Sequence, residues 1–279
     1  MDGIREKNSG MVYQVVFSSW SDSLPPLLDA SKFPDALADV RKILVKPNLV
    51  EALDPPITTP VSLVAAIVSY LKARTPHIEI VIAEGSGAKE YETSHAFDYL
   101  GYRQLAEKEG IELLDLNDAE LVRLEKPGCR RWPEMYLPKI VFESFLLSVP
   151  VLKVHTLADV TLTMKNMMGL APPSHYQQGG HWKKASFHSR VQDSVLDLNR
   201  YRCADFTILD ATVGMQEAHL WGPPCDPPHN ILAASFDPVA IDAYGAGLLG
   251  IKWNTVGHIA GAHRELGLAE PLKIIDAGV

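Results

Sequence analysis

The feature that most constrains the fold of this chain is an alternation of short, continuously apolar runs with longer segments of helical character. The run "KILV" precedes a helical segment at 61–73, "EIVIA" precedes one at 93–110, and "NILAAS" precedes one at 238–249. Strands covered on both faces are apolar throughout, and parallel strands need crossover connections that are usually helices. The alternation therefore predicts an α/β fold, with a mostly parallel sheet and helices on both faces.

Residues 11–279 are predicted to form a single α/β domain that contains two departures from this order. The segment at about 115–140 is polar and interrupted by prolines, which is typical of a small inserted flap. The segment at about 171–188 is rich in proline, glycine and histidine, which indicates a lid-like loop. Thr59 and Asp237 each precede a proline at a predicted helix start, so both are predicted N-caps.

Charge and cysteine content exclude several classes of protein. The 34 acidic and 26 basic residues give a net charge of -8, which argues against a broad surface for nucleic acid or for an anionic membrane. The opening "MDGIREKNSG" lacks a signal-peptide core and no apolar stretch is long enough to span a membrane, so we expect a cytoplasmic protein. Cys129, Cys203 and Cys225 are too widely spaced for a cluster motif, and no intrinsic iron-sulfur cluster is expected.

Polar side chains follow four of the apolar runs, at the points where the predicted strands end. These positions are Lys46 and Asn48, Glu84 and Ser86, Lys153 and His155, and Asp210. The carboxyl ends of parallel strands share one edge of a sheet, and ligands bind in the crevice beyond that edge. Loop residues are commonly polar, so a single strand end carries little information, but lysine, glutamate and histidine at several ends together favour one shared cleft.

An ammonium and an amide, Lys165 and Asn166, interrupt the apolar run "TLTMKNMMGL". A buried lysine is costly unless an anion accompanies it. The expected partner is Glu84, Asp210 or a bound ligand. The alternative is a surface helix on which Lys165 is solvated.

Motifs for metals and nucleotides are weak. His175, His181 and His188 have spacings that match no zinc motif, so a divalent metal is a secondary alternative. The "EGSGA" turn offers backbone amides to an anion but lacks the Gly-x-Gly-x-x-Gly pattern and the Walker lysine. The sequence therefore predicts no particular cofactor.

Together these motifs resemble the family known as domain of unknown function 362. The resemblance covers about residues 40–250 and rests on "KPNLV", "AEGSG", "LKVHTLADVTLTMKNMMGL", His188, "LDATVGMQ" and "SFDPVAIDAYGA". Many members are described as iron-sulfur proteins because a ferredoxin-like cysteine module is attached to them. This chain has no cysteine cluster, so the resemblance leaves open a separate ferredoxin-like protein as a partner.

The first functional hypothesis is an enzyme that acts on a small anion, either a carboxylate or a phosphate. Predicted catalytic residues are His155, His188, Lys165 and Lys153. Predicted substrate-binding residues are Lys46, Asn48, Glu84, Ser86, Asn166 and Asp210. Glu84, Asp210 and Asp242 would tune the lysines or coordinate a cation, and proton abstraction next to a carboxylate and oxidoreduction with an external donor both stay open.

Two alternatives belong to other classes of protein. One is a non-catalytic protein that binds an anionic metabolite or cofactor, and the other is a redox protein that works with a separate iron-sulfur partner. A titratable histidine close to the ligand would favour the enzyme, whereas lysines and backbone amides alone would favour the binding protein.

Overall fold

The computed structural model describes residues 2–278, which are organised around one large sheet. The strands, in chain order, are β1 (Met11–Val16), β2 (Lys42–Pro47), β3 (Glu79–Glu84), β4 (Glu112–Asp115), β5 (Leu121–Glu125), β6 (Glu134–Pro138), β7 (Phe145–Val149), β8 (Val151–His155), β9 (Asp159–Thr161), β10 (Phe206–Met215), β11 (Ile231–Ser235) and β12 (Lys273–Asp276). The main sheet has ten strands in the order β12-β1-β11-β10-β7-β2-β3-β4, with β8 beside β10 and β9 beside β8.

Most neighbouring strands of this sheet are parallel, while β11 runs antiparallel to both β1 and β10, and β9 runs antiparallel to β8. The strands β2, β3, β7 and β10 are mutually parallel, so their carboxyl ends share one edge. The predicted α/β class with a mostly parallel sheet is confirmed. The remaining strands, β5 and β6, form a separate antiparallel hairpin within the segment that was predicted to be an inserted flap.

Helices cover both faces of the sheet. They are α1 (Asp2–Lys7), α2 (Trp20–Ala30), α3 (Phe33–Ala36), α4 (Val61–Arg74), α5 (Thr93–Tyr99), α6 (Tyr102–Glu109), α7 (Ile140–Glu143), α8 (Thr163–Asn166), α9 (Pro173–Tyr176), α10 (Ala185–His188), α11 (Val191–Tyr201), α12 (Pro238–Leu248) and α13 (Gly257–Ala262), with 3-10 helices at Met167–Leu170 and Trp253–Thr255. Alternate residues of β2 show the two layers, because Leu44 packs into one buried cluster while Ile43 and Val45 pack into the other. This is the geometry of a strand buried on both sides.

The helix boundaries differ from the prediction in two places. The predicted helix at 93–110 is two helices, because Gly101 adopts a left-handed φ of 82° between α5 and α6. Thr59 does not cap α4, since its Oγ1 donates to the carbonyl of Val149 at 2.6 Å. Asp237 does cap α12, accepting hydrogen bonds from the first backbone amides of that helix, and this prediction is confirmed.

None of the helices within residues 2–278 combines the length and the apolar character that a bilayer crossing requires.

Candidate functional site

A cavity of about 530 Å³ lies beyond the carboxyl edge of the sheet. Its walls come from the ends of β3 and β8, from α8, from the segment at 179–188 and from the segment at 218–221 that follows β10. Seven of the ten predicted site residues line it: Asn48, Glu84, Lys153, His155, Lys165, Asn166 and His188. The other three, Lys46, Ser86 and Asp210, do not.

Four lining residues, together with Lys46 behind them, form what we call the Lys46 network: Lys46, Asn48, Glu84, Lys153 and Asn166. Lys46 Nζ donates to both carboxylate oxygens of Glu84, at 2.8 and 2.9 Å, and lies 3.2 Å from Asn166 Oδ1. Asn48 connects the two halves of the network, because its Nδ2 donates to Asn166 at 3.1 Å while its Oδ1 accepts from Lys153 Nζ at 2.7 Å. All five residues are buried, so their polar atoms are satisfied mainly by one another.

The Lys46–Glu84 ion pair also explains the glycine in "KNMMGL". A Cβ at Gly169 would lie 2.0 Å from Glu84 Oε1 and 2.6 Å from Lys46 Nζ. Glu84 further accepts hydrogen bonds from the backbone amides of Leu49 and Gly85, at 3.1 and 2.8 Å. Burial lowers the pKa of Lys46, and the Glu84 carboxylate opposes that shift.

Two further lysines of the cavity wall are buried beside backbone carbonyls. Lys153 Nζ donates to the carbonyl of Ile57 at 2.6 Å; burial lowers its pKa to about 7, with a further lowering from the charge of Lys165. Lys184 Nζ donates to the carbonyl of Ala171 at 2.6 Å and to the side-chain oxygen of Asn117. Burial also lowers the pKa of Lys184 to about 7.

Lys165 reaches the cavity from α8, whose first turn is held by a buried carboxylate. Asp242 accepts from the backbone amides of Thr163 and Met164, at 2.8 and 2.9 Å, so it caps α8 rather than tuning a lysine or coordinating a cation. Burial raises the pKa of Asp242 to about 8. The helix is a single turn, and the chain continues from it as a 3-10 helix rather than as the longer helix that the apolar run suggests.

The Lys165 ammonium has no hydrogen bond or salt bridge to any of residues 2–278. Glu84, one predicted partner, is bonded to Lys46, and Asp210, the other, accepts from the amide and hydroxyl of Thr212 at 3.0 and 2.7 Å. Burial alone lowers the pKa of Lys165 to about 8. Neither carboxylate that was expected as a partner therefore contacts Lys165, whose side chain is partly exposed.

Three imidazoles close to Lys165 form what we call the histidine cluster: His155, His188 and His219. The rings of His155 and His219 stack at a centroid distance of 3.9 Å, and those of His155 and His188 lie 6.4 Å apart. Burial, together with the charge of Lys165, lowers the pKa of all three, that of His219 to about 4. The imidazoles are therefore neutral at pH 7.

Hydrogen-bond partners indicate where the single proton of two of these rings lies. His155 Nδ1 accepts from the backbone amides of Leu157 and Ala158, at 3.0 and 3.1 Å, so its hydrogen is on Nε2. His188 Nδ1 lies 3.2 Å from the carbonyl of Lys184, which can only accept, so its hydrogen is on Nδ1. The cavity therefore combines one imidazole with a donor Nε2–H and another with an Nε2 lone pair.

Ser86 and Asp210, which were predicted to bind substrate, do not line the cavity and make contacts within the fold. Ser86 Oγ donates to the carbonyl of Val50 at 3.1 Å and accepts from the amide of Ala88, which shapes the turn after β3. Asp210 accepts a hydrogen bond from the Thr212 hydroxyl, and burial raises the pKa of Asp210. Lys46 lies one layer behind the cavity wall, where it contacts Glu84.

Two basic residues of the cavity lining were not predicted as site residues, His219 and Lys184. His219 lies in the irregular segment after β10, so a search beyond the first residues after each strand would have found it. Lys184 is the second lysine of the pair in "HWKKAS", inside the predicted lid-like loop. His175 of that loop lies elsewhere and stacks on Tyr136 of the hairpin at 4.1 Å.

Residues 2–278 contain no group of three or more histidine, cysteine, aspartate or glutamate side chains placed to hold a metal ion. In the histidine cluster the closest two rings stack face to face, an arrangement that does not direct their nitrogens at a common point.

Comparison with known proteins relates the chain to one family and to one fold. No curated protein matches it. Among solved structures, it is similar to the lactate racemase apoprotein from Thermoanaerobacterium thermosaccharolyticum, with a TM-score of 0.53 and 11% sequence identity. That match covers 86% of this chain but 56% of the racemase, so this chain spans less than two thirds of its length. The family model described as Domain of unknown function (DUF362) matches residues 43–247, well over half of the chain, and the protein therefore belongs to that family.

Proposed function

We propose that this protein is an enzyme that binds a small organic anion through Lys165 and carries out acid/base chemistry on it with His155 and His188. One observation carries the proposal: the Lys165 ammonium faces the cavity without a partner among residues 2–278. A cation held in a mostly buried place is costly unless an anion joins it, so the ligand is expected to supply that anion.

The charge of the cavity lining supports an anionic ligand. Its basic side chains include three lysines, Lys153, Lys165 and Lys184, while its one carboxylate, Glu84, is already paired with Lys46. The protein as a whole carries a net charge of -8, so this positive region is local. A concave site with one sign of charge concentrates ligands of the opposite sign.

The histidine cluster supports chemistry rather than binding alone. With the protons placed as above, His188 Nε2 can accept a proton and His155 Nε2–H can donate one, and the ring centroids are 6.4 Å apart. The step that these groups favour is removal of a proton from the carbon next to a carboxylate. The proton moves to His188 Nε2, the C–H electron pair forms an enolate, and Lys165 and the His155 N–H stabilise the negative oxygens.

The similar racemase does not decide the substrate. Lactate, which its title names, is a small 2-hydroxy carboxylate, but a likeness at 11% identity bears on the fold alone. The proposed substrate class for this chain, a small organic anion, therefore rests on the cavity.

Binding is tested by titrating acetate and inorganic phosphate into the wild-type protein and into Lys165→Met by isothermal titration calorimetry. We expect the substitution to weaken binding by about 30-fold or more, because a charge-assisted contact with a desolvated group is lost. Lys108→Met, on the exposed face of α6, is the matched control and should bind as the wild type does. Equal affinity in Lys165→Met would remove the proposed anion site.

Catalysis is tested separately, by following exchange of the hydrogens next to the carboxylate for deuterium in D₂O with proton NMR. A carboxylate recovered from the purified protein by native mass spectrometry is the first substrate to use. His188→Gln and His155→Gln should lose exchange while they keep binding. Binding with no exchange in the wild type would instead support the non-catalytic binding protein.

A further inference from the structure

We infer, on the basis of the proposed anion site, that the natural ligand is an amphipathic anion whose apolar chain or ring extends from the buried lysines to two tryptophans at the cavity mouth. This goes beyond the charge of the ligand to its size and shape, and it rests on how polar and apolar residues are distributed through the cavity.

The inner part of the cavity is polar and closed to solvent. Among its lining residues, those that are at most 4% exposed and polar are Glu84, Lys153, His155, Thr161, Asn166 and Lys184. All but Lys184 belong to strands or to α8, at the carboxyl edge of the sheet, and Lys184 directly precedes α10. An anionic group is expected in this part of the cavity, next to Lys165 of α8.

The outer part of the cavity is apolar and open. Leu157, Trp182 and Trp221 line it, yet they are 58%, 45% and 78% exposed. They come from three different segments: the β8–β9 turn, the segment between α9 and α10, and the segment after β10. Because each one both lines the cavity and contacts solvent, together they mark its mouth.

This grouping is unusual for the protein. Among residues 2–278, large hydrophobic side chains with such exposure are few, and both exposed tryptophans are at this mouth. Clustered exposed aromatic groups mark places where an apolar partner binds. Because these tryptophans line the same cavity as the lysines, the occupant that fits is the apolar part of the ligand bound there.

Apolar side chains also connect the inner part of the cavity to its outer part. Met168 and Leu220 line the cavity and are each 7% exposed, which provides an apolar wall between the lysines and the mouth. The volume of about 530 Å³ falls in the range of about 300–1,000 Å³ that is typical of sites for drug-sized ligands. A two- or three-carbon acid would leave this wall facing water.

The test compares acetate with octanoate, which adds a six-methylene apolar extension to the same head group. We expect the wild type to bind octanoate about 30-fold or more tightly than acetate, because the added methylenes are removed from water. The double variant Trp182→Ala and Trp221→Ala should lose about tenfold in octanoate affinity and keep its acetate affinity. Tyr99→Ala, an exposed aromatic residue of α5 that does not line the cavity, is the matched control and should bind both as the wild type does.

The outcomes separate this inference from the proposed function. If octanoate and acetate bind equally, and both depend on Lys165, the inference is wrong and the anion site remains. If Trp182→Ala and Trp221→Ala, singly and together, leave octanoate affinity unchanged, the inference is also wrong. If neither anion depends on Lys165, the proposed function fails and this inference fails with it. The comparison of the two acids uses the wild type alone, so it does not depend on whether any variant folds.

Discussion

Two neighbouring polar regions of this protein use lysine ammonium groups in opposite ways, one fully buried and the other partly exposed to a cavity. In the Lys46 network, the Lys46 ammonium is fully buried and bonded to Glu84 at 2.8 Å. Next to the histidine cluster, the Lys165 ammonium has no partner among residues 2–278 and faces a cavity. The first arrangement satisfies its own charge and stabilises the end of the sheet. The second leaves a charge that the proposed anionic ligand would satisfy.

The difference has a physical basis in desolvation. Taking an ammonium out of water costs several kcal/mol by general estimates, and an adjacent carboxylate with additional hydrogen bonds offsets that cost. Glu84 supplies this compensation to Lys46 and is itself held by the amides of Leu49 and Gly85. No group among residues 2–278 does the same for Lys165, so we expect the two lysines to respond in opposite ways to the same substitution.

The largest expected effect is the loss of stability in Lys46→Met. Removing one partner of a buried ion pair leaves the Glu84 carboxylate uncompensated, so the free energy of unfolding should fall by about 3–5 kcal/mol. Urea denaturation measures this. Lys42→Met, on the same strand, removes a partly exposed pair with Glu79 and should change stability by less than about 1 kcal/mol. A similar small change in Lys46→Met would show that the network is not structural.

A steric change at the same network should have the next largest effect. In Gly169→Ala the new methyl group would meet the Glu84 carboxylate and the Lys46 ammonium, so we expect a loss of about 2 kcal/mol or more. In Gly247→Ala, within α12, nothing lies within 4 Å of the new methyl group, and stability should stay equal or rise by up to about 1 kcal/mol. Thermal melts of both variants measure the difference, and equal behaviour of the two would contradict the tight packing at Gly169.

Lys165→Met should leave the stability at pH 7 unchanged or raise it by about 1–2 kcal/mol, because it deletes an uncompensated charge. Burial lowers the Lys165 pKa from 10.5 to about 8, so between these two values the unfolded chain binds more protons than the folded protein. The contribution of Lys165 to the wild-type free energy of unfolding therefore rises as the pH increases from about 8 to 10.5. The advantage of the variant should be largest below pH 8 and disappear toward pH 10.5, as denaturation at a series of pH values would show. A large loss of stability at pH 7 would mean that Lys165 is structural.

The smallest expected effect concerns the predicted lid-like loop at 171–188. Lys183 Nζ donates to the carbonyl of Tyr91 at 2.8 Å and contacts the Glu92 carboxylate, which joins this loop to the segment after β3. Because Glu92 is largely exposed, the contact is expected to contribute about 1 kcal/mol or less. Lys183→Met should therefore speed amide hydrogen exchange in the loop by up to about fivefold, and octanoate should slow exchange in the wild type. If the loop is as protected as the sheet with and without octanoate, the lid prediction is wrong.

The sequence predicts the sheet better than it predicts the site. Apolar runs such as "KILV" are visible because a strand buried on both faces has no polar position. Strand direction has no such signature, since the run that forms β11 would look the same in a parallel pair. The antiparallel direction of β11 was therefore not predictable from the sequence and is seen only in the structure.

The site residues show the same limit. Glu84 and Asp210 each follow an apolar run, but Glu84 lines the cavity and bonds to Lys46 behind it, while Asp210 bonds to Thr212 away from the cavity. Spacing along the chain does not distinguish these cases. His219 reaches the cavity through an irregular segment, whose path no hydrophobic periodicity predicts. The Lys165 position, by contrast, was conspicuous because a charge within an apolar run is rare.

The claim that Lys165 binds an anion is tested most directly by measuring how many protons the protein takes up when the anion binds. Octanoate can be titrated at pH 8.5 in two buffers of different ionisation enthalpy, into the wild type and into Lys165→Met. With a pKa of about 8, most Lys165 side chains are neutral at that pH, and a carboxylate in contact raises the pKa. The wild type should therefore take up more protons per octanoate bound than the variant does, and equal uptake in the two proteins would contradict the anion site.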